Sequence, residues 1–257
     1  MGKTDTRVIV GASIGEQPGE SAVAILYREI QPVGKPEVFA TRRYKRGRPH
    51  NGPADRDEIG LQQPLEHIYH VRHLERPKGD LADVAWRIIE LLVSLRGESE
   101  QTICILDSTG VGHPAYAYLV GEIRALELDS PLYVTAREIV VSNALGGSGK
   151  NGDNALVIPR RDLISAGRLT LASKKLRVAP KLKLADVLRE ELGSFSRKPQ
   201  KSDVMDPWRL GGNDDLVLAT TVALYASERF LHTPRAVELE DTLGGTPFDS
   251  SPSEGEG

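Results

Sequence analysis

The chain is poor in sulfur: its 257 residues hold one cysteine, Cys104, and two methionines. A single cysteine excludes an intramolecular disulfide. Its place within the apolar run Thr102-Ile103-Cys104-Ile105-Leu106 makes it an expected inert core residue of a reducing compartment. Aromatic residues make up only 5%. No apolar run approaches the ~20 residues that a membrane-spanning helix needs, so no membrane partner is expected. The first residues, Met1-Gly2-Lys3-Thr4-Asp5, lack the charged, apolar and small-residue regions of a signal peptide, and secretion is not expected. Positive charge is missing from one end. After Arg235 there is no Lys or Arg, but there are six acids: Glu238, Glu240, Asp241, Asp249, Glu254 and Glu256.

What is present fits a folded chain. Hydrophobic residues make up 39% and charged residues 27%, the balance of a globular protein. The net charge is 33 − 36 = −3; without the six terminal acids it is 33 − 30 = +3. Residues 233–257 therefore read as an acidic, low-complexity tail without structure, and residues 1–232 as one mildly basic domain. The densest cationic cluster is Arg42, Arg43, Lys45, Arg46 and Arg48. It reads equally as a solvated loop or as a loop that meets phosphates.

Hydrophobic periodicity predicts strands over 6–14, 21–30 and 66–75, with a long basic loop or insertion over 41–65. It then predicts a helix over 80–95, a buried strand over 102–106 and a helix over 114–126. A strand over 131–135 and a glycine-rich loop over 142–154 follow, then helices over 159–168, 182–192 and 213–231. An antiparallel three-stranded start, followed by β-α-β crossovers, predicts a mixed α/β sheet with helices on its faces.

Two motifs are rejected. His67, His70 and His73 fall on a predicted strand, where alternation sends His70 to the face opposite the other two, so they do not converge on a zinc ion. Gly146-Gly147-Ser148-Gly149-Lys150-Asn151 approaches a nucleotide-phosphate loop. That motif needs Gly at Ala144 and Ser or Thr at Asn151, so a nucleoside triphosphatase is excluded on this ground.

Two acidic positions stand out. Asp107 closes a buried strand, where ligands bind in open sheets, although an acid there also serves as a turn or helix cap. Asp214-Asp215 opens a strongly apolar helical segment, a place that suits either an N-cap or oxygen ligation of a hard cation.

Together these segments resemble one family. Leu106-Asp107-Ser108-Thr109-Gly110-Val111-Gly112 is similar to the "D-x-T-G-V-G" strand end of phage terminase large-subunit nuclease domains. Val157-Ile158-Pro159-Arg160-Arg161-Asp162-Leu163-Ile164 is similar to that family's "v-P-K-R-D-L-v" segment, and Asn213-Asp214-Asp215-Leu216-Val217-Leu218-Ala219 to its "H/N-D-D-L-V-x-A" segment. Tyr69-His70-Val71-Arg72-His73-Leu74-Glu75-Arg76 is similar to its third strand, and order and spacing agree over roughly residues 7 to 230.

The resemblance implies an RNase H-like fold and two-metal hydrolysis of DNA by Mg²⁺ or Mn²⁺. Asp107, Asp214 and Asp215 would be catalytic and metal-binding. Lys150, Arg160, Arg161 and the 42–48 cluster would meet the backbone of double-stranded DNA without reading sequence. It also implies separate ATPase and portal partners and a place in the host cytoplasm.

The sequence departs from the family twice. It has no ATP-binding motif of its own. Where the family's first strand carries a metal-binding Asp in "G-x-D-x-G", this chain reads Gly11-Ala12-Ser13-Ile14-Gly15, with Ser13 at the acid's position and Glu16 nearby as a substitute. A hydroxyl is a far weaker ligand for a hard cation than a carboxylate. The alternative reading is therefore a weakened or inactive packaging and DNA-binding subunit. A Holliday-junction resolvase-like nuclease fits the same fold, but the Thr-Gly-Val-Gly and Pro-Arg-Arg-Asp segments favour the terminase resemblance.

Overall fold

The structure, a computed structural model, describes residues 7–15, 20–35, 37–43, 56–99, 102–129, 134–142, 149–150, 156–195, 214–231 and 236–239. Its strands are β1 (Arg7–Ser13), β2 (Ala22–Pro32), β3 (Glu37–Arg43), β4 (Arg56–Glu75), β5 (Thr102–Asp107), β6 (Val134–Ser142), β7 (Gly149–Lys150), β8 (Leu156–Pro159), β9 (Leu176–Val178) and β10 (Ala236–Leu239). Its helices are α1 (Leu81–Ser94), α2 (Gly112–Asp129), α3 (Arg160–Ala172), α4 (Ala185–Phe195) and α5 (Asp215–Phe230). The chain forms two compact units, residues 1–31 with 67–233 and residues 32–66 with 234–257.

In the larger unit the strand order is β4-β2-β1-β5-β6-β8-β7, with β9 parallel to residues 69–71 of β4. β1 is antiparallel to β2, whereas β1, β5, β6 and β8 run parallel. A central strand flanked by an antiparallel neighbour on one side and parallel crossover strands on the other is the RNase H-like arrangement. The mixed α/β sheet expected from the sequence is therefore present.

Alternation along β1 splits the core into two layers. Val8, Val10 and Ala12 pack with Val84, Ile88 and Leu92 of α1 and Leu119 of α2. Ile9 belongs to the opposite layer, with Ile103, Ile105 and most of α5. Residues Leu216 to Leu224 of α5 are buried on every side, which suits a helix apolar all round. The hydroxyls of Thr220 and Thr221 are satisfied on the helix itself, donating to the carbonyls of Leu216 (2.7 Å) and Val217 (2.8 Å). Gly11 lets α5 lie on β1: a Cβ there would stand 2.2 Å from the Ala219 carbonyl oxygen and 2.8 Å from Ala223 Cβ.

Three expectations are corrected. The 41–65 stretch is not simply a loop: β3 pairs antiparallel with the first part of β4 through residues 37–43 and 56–62. The single 1–232 domain gives way to two units, because this hairpin clusters apart from the larger sheet. The acidic tail contributes β10, whose Ala236-Val237-Glu238-Leu239 pairs antiparallel with residues 61–64. The acids dominate the composition of the tail but leave this short apolar stretch able to add to a sheet edge. In the 142–154 loop, Gly149–Lys150 forms β7; residues 143–148 and 151–155 lie outside the described residues, as do 240–257. The short strands β8 and β9 were not anticipated; β8 has four residues and ends on Pro159, β9 has three.

Candidate functional site

β5 delivers Asp107. All six residues of the strand are buried, and Asp107 itself is only 6% exposed. Ser13 and Asp107 are register partners on the adjacent parallel strands β1 and β5, and Ile139 of β6 is the next partner. Partners in a parallel pair project to one face, so Ser13 stands beside Asp107 on the α5 side of the sheet.

Asp107 is held by the turn that follows it. The Thr109 N–H and hydroxyl both donate to Asp107 Oδ1, at 3.0 and 2.5 Å. The Val141 N–H in turn donates to Thr109 Oγ1 at 2.8 Å, tying the turn to β6. Gly110 takes a positive φ of 77°, which a side chain would disfavour. Burial pushes the Asp107 carboxyl above its ordinary range, against the Thr109 hydrogen bonds and the Arg160 charge.

α5 delivers the acid pair. Asp214 is its N-cap, and its carbonyl accepts from the Leu218 N–H at 2.9 Å, but its side chain makes no capping hydrogen bond. Instead the Asp214 carboxylate pairs with the Arg160 guanidinium. Arg160 opens α3 directly after β8, so this one cation touches Asp214 and acts on Asp107 as well. Asp215 Oδ2 is buried and accepts no hydrogen bond among the described residues. Burial, and then the charge of Asp214, push the Asp215 carboxyl up to about 6.

Three participants lie outside the sequence-derived set. Glu191 of α4, 6% exposed, accepts from Arg76 at 2.5 Å and from the Val217 N–H at 3.1 Å. Burial, with the charges of Asp215 and Asp214 adding to it, pushes Glu191 up to about 7 against the Val217 N–H and Arg76. Glu20, just ahead of β2, adds negative charge against Asp215. A signal for Glu191 was present: it falls three residues after buried Leu188, which itself follows buried Ala185 by three, so it is an acid on the apolar stripe of α4. Nothing local marked Arg76 or Glu20.

The other expected site residues divide sharply. Arg160 lies inside the acidic cluster, 15% exposed, rather than on an outer surface. Arg161 is more than half exposed and pairs with Asp162 at 3.4 Å. Arg42 and Arg43 end β3 in the smaller unit, and Lys150 ends β7. Glu16, Lys45, Arg46 and Arg48 lie outside the described residues. The histidines diverge as expected, each onto its own acid: His67 to Glu228 (3.4 Å), His70 to Glu29 (3.1 Å) and His73 to Glu75 (2.9 Å). Cys104 is fully buried, and burial pushes its thiol up to about 12. No helix among the described residues is long and apolar enough to cross a membrane.

The carboxylates are hard oxygen donors, the class that suits Mg²⁺ and Mn²⁺. The buried, unpartnered oxygen of Asp215 and the like charges around it fit a cation. Among the described residues, however, no group of three or more His, Cys, Asp or Glu lies close enough to form a ready cage. Arg160 holds Asp214 in an ion pair, and Ser13 offers a neutral hydroxyl beside Asp107.

Strand order and direction are those of an RNase H-like fold. No family model and no curated protein matches the sequence. Among solved structures, the chain is similar to the human cytomegalovirus terminase nuclease domain, at 15% identity over 74% of this chain and 81% of that one, with a TM-score of 0.40. A manganese-soaked form of that domain is similar at 12% identity over 90% of this chain and 87% of that one, with a TM-score of 0.44.

Proposed function

We propose that this chain is an RNase H-like endonuclease that hydrolyses DNA phosphodiester bonds with divalent cations, in the service of viral DNA packaging. The observation that carries the reading is that Arg160 pairs with Asp214 and acts on Asp107, with Asp215 next to Asp214 in the chain. A buried strand end and a half-buried helix start, 107 residues apart, place their acids where one guanidinium pairs with Asp214 and acts on Asp107. An acid whose carboxyl burial and a like charge push up, as at Asp215, is a candidate functional group.

In this reading Asp107, Asp214 and Asp215 hold the cations, with Glu16 the further carboxylate within sequence reach of Ser13. Bound divalent cations would supply an activated water and stabilise the attacking and leaving oxygens. The chain's own residues set the stage. Thr109 fixes the Asp107 rotamer, and the Gly11 contact seats α5 against β1 so that Asp214 and Asp215 open over the strand ends. Arg160 holds Asp214 in an ion pair, which would have to open for that carboxylate to hold a cation. Arg161, Lys150 and the 42–48 cluster meet phosphates of double-stranded DNA, so binding weakens with salt and ignores sequence.

A second reading is favoured by Ser13 and by the Arg160–Asp214 pair: a DNA-packaging subunit that binds DNA but cleaves it poorly. Nicking of supercoiled plasmid in Mn²⁺ or Mg²⁺ separates the two. The nuclease reading expects slow wild-type cleavage, a rise with Ser13→Asp, and a loss of more than about 100-fold with Asp107→Asn, beyond what loss of an outer ligand partner costs. DNA binding with no cleavage by wild type or Ser13→Asp selects the binding subunit. Cleavage untouched by Asp107→Asn overturns the site.

A further inference from the structure

α5 begins in an unusual way for a helix opened by aspartate. The ordinary N-cap acid accepts the N–H of the second or third helical residue. Asp214 stands at the cap, yet no N–H of its own helix reaches its side chain. The third helical N–H, that of Val217, donates instead to Glu191 Oε2 at 3.1 Å, across from α4. The other Glu191 oxygen accepts from Arg76 at 2.5 Å, so the carboxylate is anchored on both sides in a buried place.

We infer that Glu191 is a positioning residue that caps α5 from outside and so keeps the Asp214–Asp215 pair available to the site. Were Glu191 absent, the Val217 N–H would lose its acceptor, and the N-cap side chain, here Asp214, is the group that ordinarily serves that N–H, so capping would draw it back onto its own helix. With Glu191 in place, Asp214 points to Arg160, and Asp215 keeps a buried oxygen with no hydrogen bond among the described residues. Arg76, directly after β4, and Glu191 of α4 thereby couple two further elements to the orientation of the acids. The assignment rests on the reading of Asp214 and Asp215 as cation ligands, and its test separates the two.

Two variants decide it. Glu191→Gln keeps an oxygen acceptor of the same reach; Glu191→Leu removes it. Amide hydrogen exchange at Val217 and calorimetric titration with Mn²⁺ are measured on the full chain. Glu191→Gln should hold Val217 protection and Mn²⁺ affinity within about threefold of wild type, whereas Glu191→Leu should lose about tenfold or more in both, about the effect of removing one hydrogen bond from a buried amide. Equal Mn²⁺ loss in both variants makes Glu191 a ligand or a charge and overturns the positioning role. Unchanged Val217 protection in Glu191→Leu overturns the cap. Glu191→Gln alone can refute the assignment, so the test survives a Leu variant that fails to fold. If wild type binds no Mn²⁺ but Val217 protection falls in Glu191→Leu, the nuclease reading fails and the external cap stands.

Discussion

Two helices of the larger unit are opened by aspartate, and they use it in opposite ways. At α1, Asp80 accepts from the Ala82 and Asp83 N–H groups at 2.9 and 3.0 Å, and Asp83 reaches back to the Asp80 N–H at 3.1 Å. This is a closed capping box, with both acids spent on the helix itself. At α5 the cap acid makes no such bond, its neighbour keeps a buried unpartnered oxygen, and a glutamate from another helix serves the orphan N–H. The same residue type at the same helical position is structural in one place and held in reserve in the other. The difference lies in what surrounds the cap. Asp80 is at a solvated turn, whereas Asp214 pairs with Arg160, which also acts on Asp107.

The comparison breaks first if α5 is not fixed where the acids need it. Gly11→Ala puts a methyl carbon 2.2 Å from the Ala219 carbonyl oxygen, a backbone atom that cannot turn aside. Overpacking of this kind costs about 3 kcal/mol. Chemical denaturation should show that loss, together with any Mn²⁺-dependent nicking falling in parallel; a variant as stable as wild type would mean that α5 sits further from β1.

Sharper is the contrast between the two helix starts. Asp80→Ala should lower stability by about 1 kcal/mol, the usual cost of a lost N-cap, and leave nicking unchanged. Asp215→Asn should do the reverse. It removes a buried carboxylate that burial and Asp214 hold at a cost, so the fold should gain roughly 1 kcal/mol while cleavage is lost. Thermal melts of the pair at pH 7 decide it: two losses of equal size would make both acids structural.

The smallest effect lies at the other end of α5. Glu228 is pulled down to about 2 by its hydrogen bond with His67 and by the Tyr69 hydroxyl, which also donates to it. A carboxyl lowered in the folded state stabilises the fold above its ordinary value near 4.5, and that contribution fades as pH falls toward 2. Because Glu228 is largely exposed, screening keeps the effect small. Glu228→Gln should flatten the acid side of the stability curve slightly between pH 4.5 and 2, and an unchanged curve would remove this acid from the account.

Much of the fold was legible because period and burial agree. The strand runs 6–14, 21–30 and 102–106 and the helices near 80–95, 159–168 and 213–231 coincide with β1, β2, β5, α1, α3 and α5 to within a few residues. These segments bury whole faces, so their apolar spacing carries the signal. β10 was missed because its pairing partner is distant in sequence: it meets β4 some 170 residues earlier, as Ala236 opposite Pro64 shows. A strand of four residues such as β10 is too short for a period to announce it, and β3 was hidden in a basic stretch that read as a loop.

The sequence alone determined the core and the candidates. An apolar run that ends in Asp107 must end a buried strand there, and Asp214-Asp215 before a continuous apolar stretch must open a buried helix, because the cost of burying polar backbone fixes where such elements start and stop. Tertiary structure alone decided which acids meet and what each one does. Arg160, expected on an outer surface against phosphate, folds inward onto Asp214. Glu191, a member of an ordinary-looking Glu-Glu pair, takes the cap of a helix that begins 24 residues later. Hydrogen-bond partners across elements depend on how helices seat against a sheet, and at α5 that seating is set by the missing side chain of Gly11 rather than by any acid in the site.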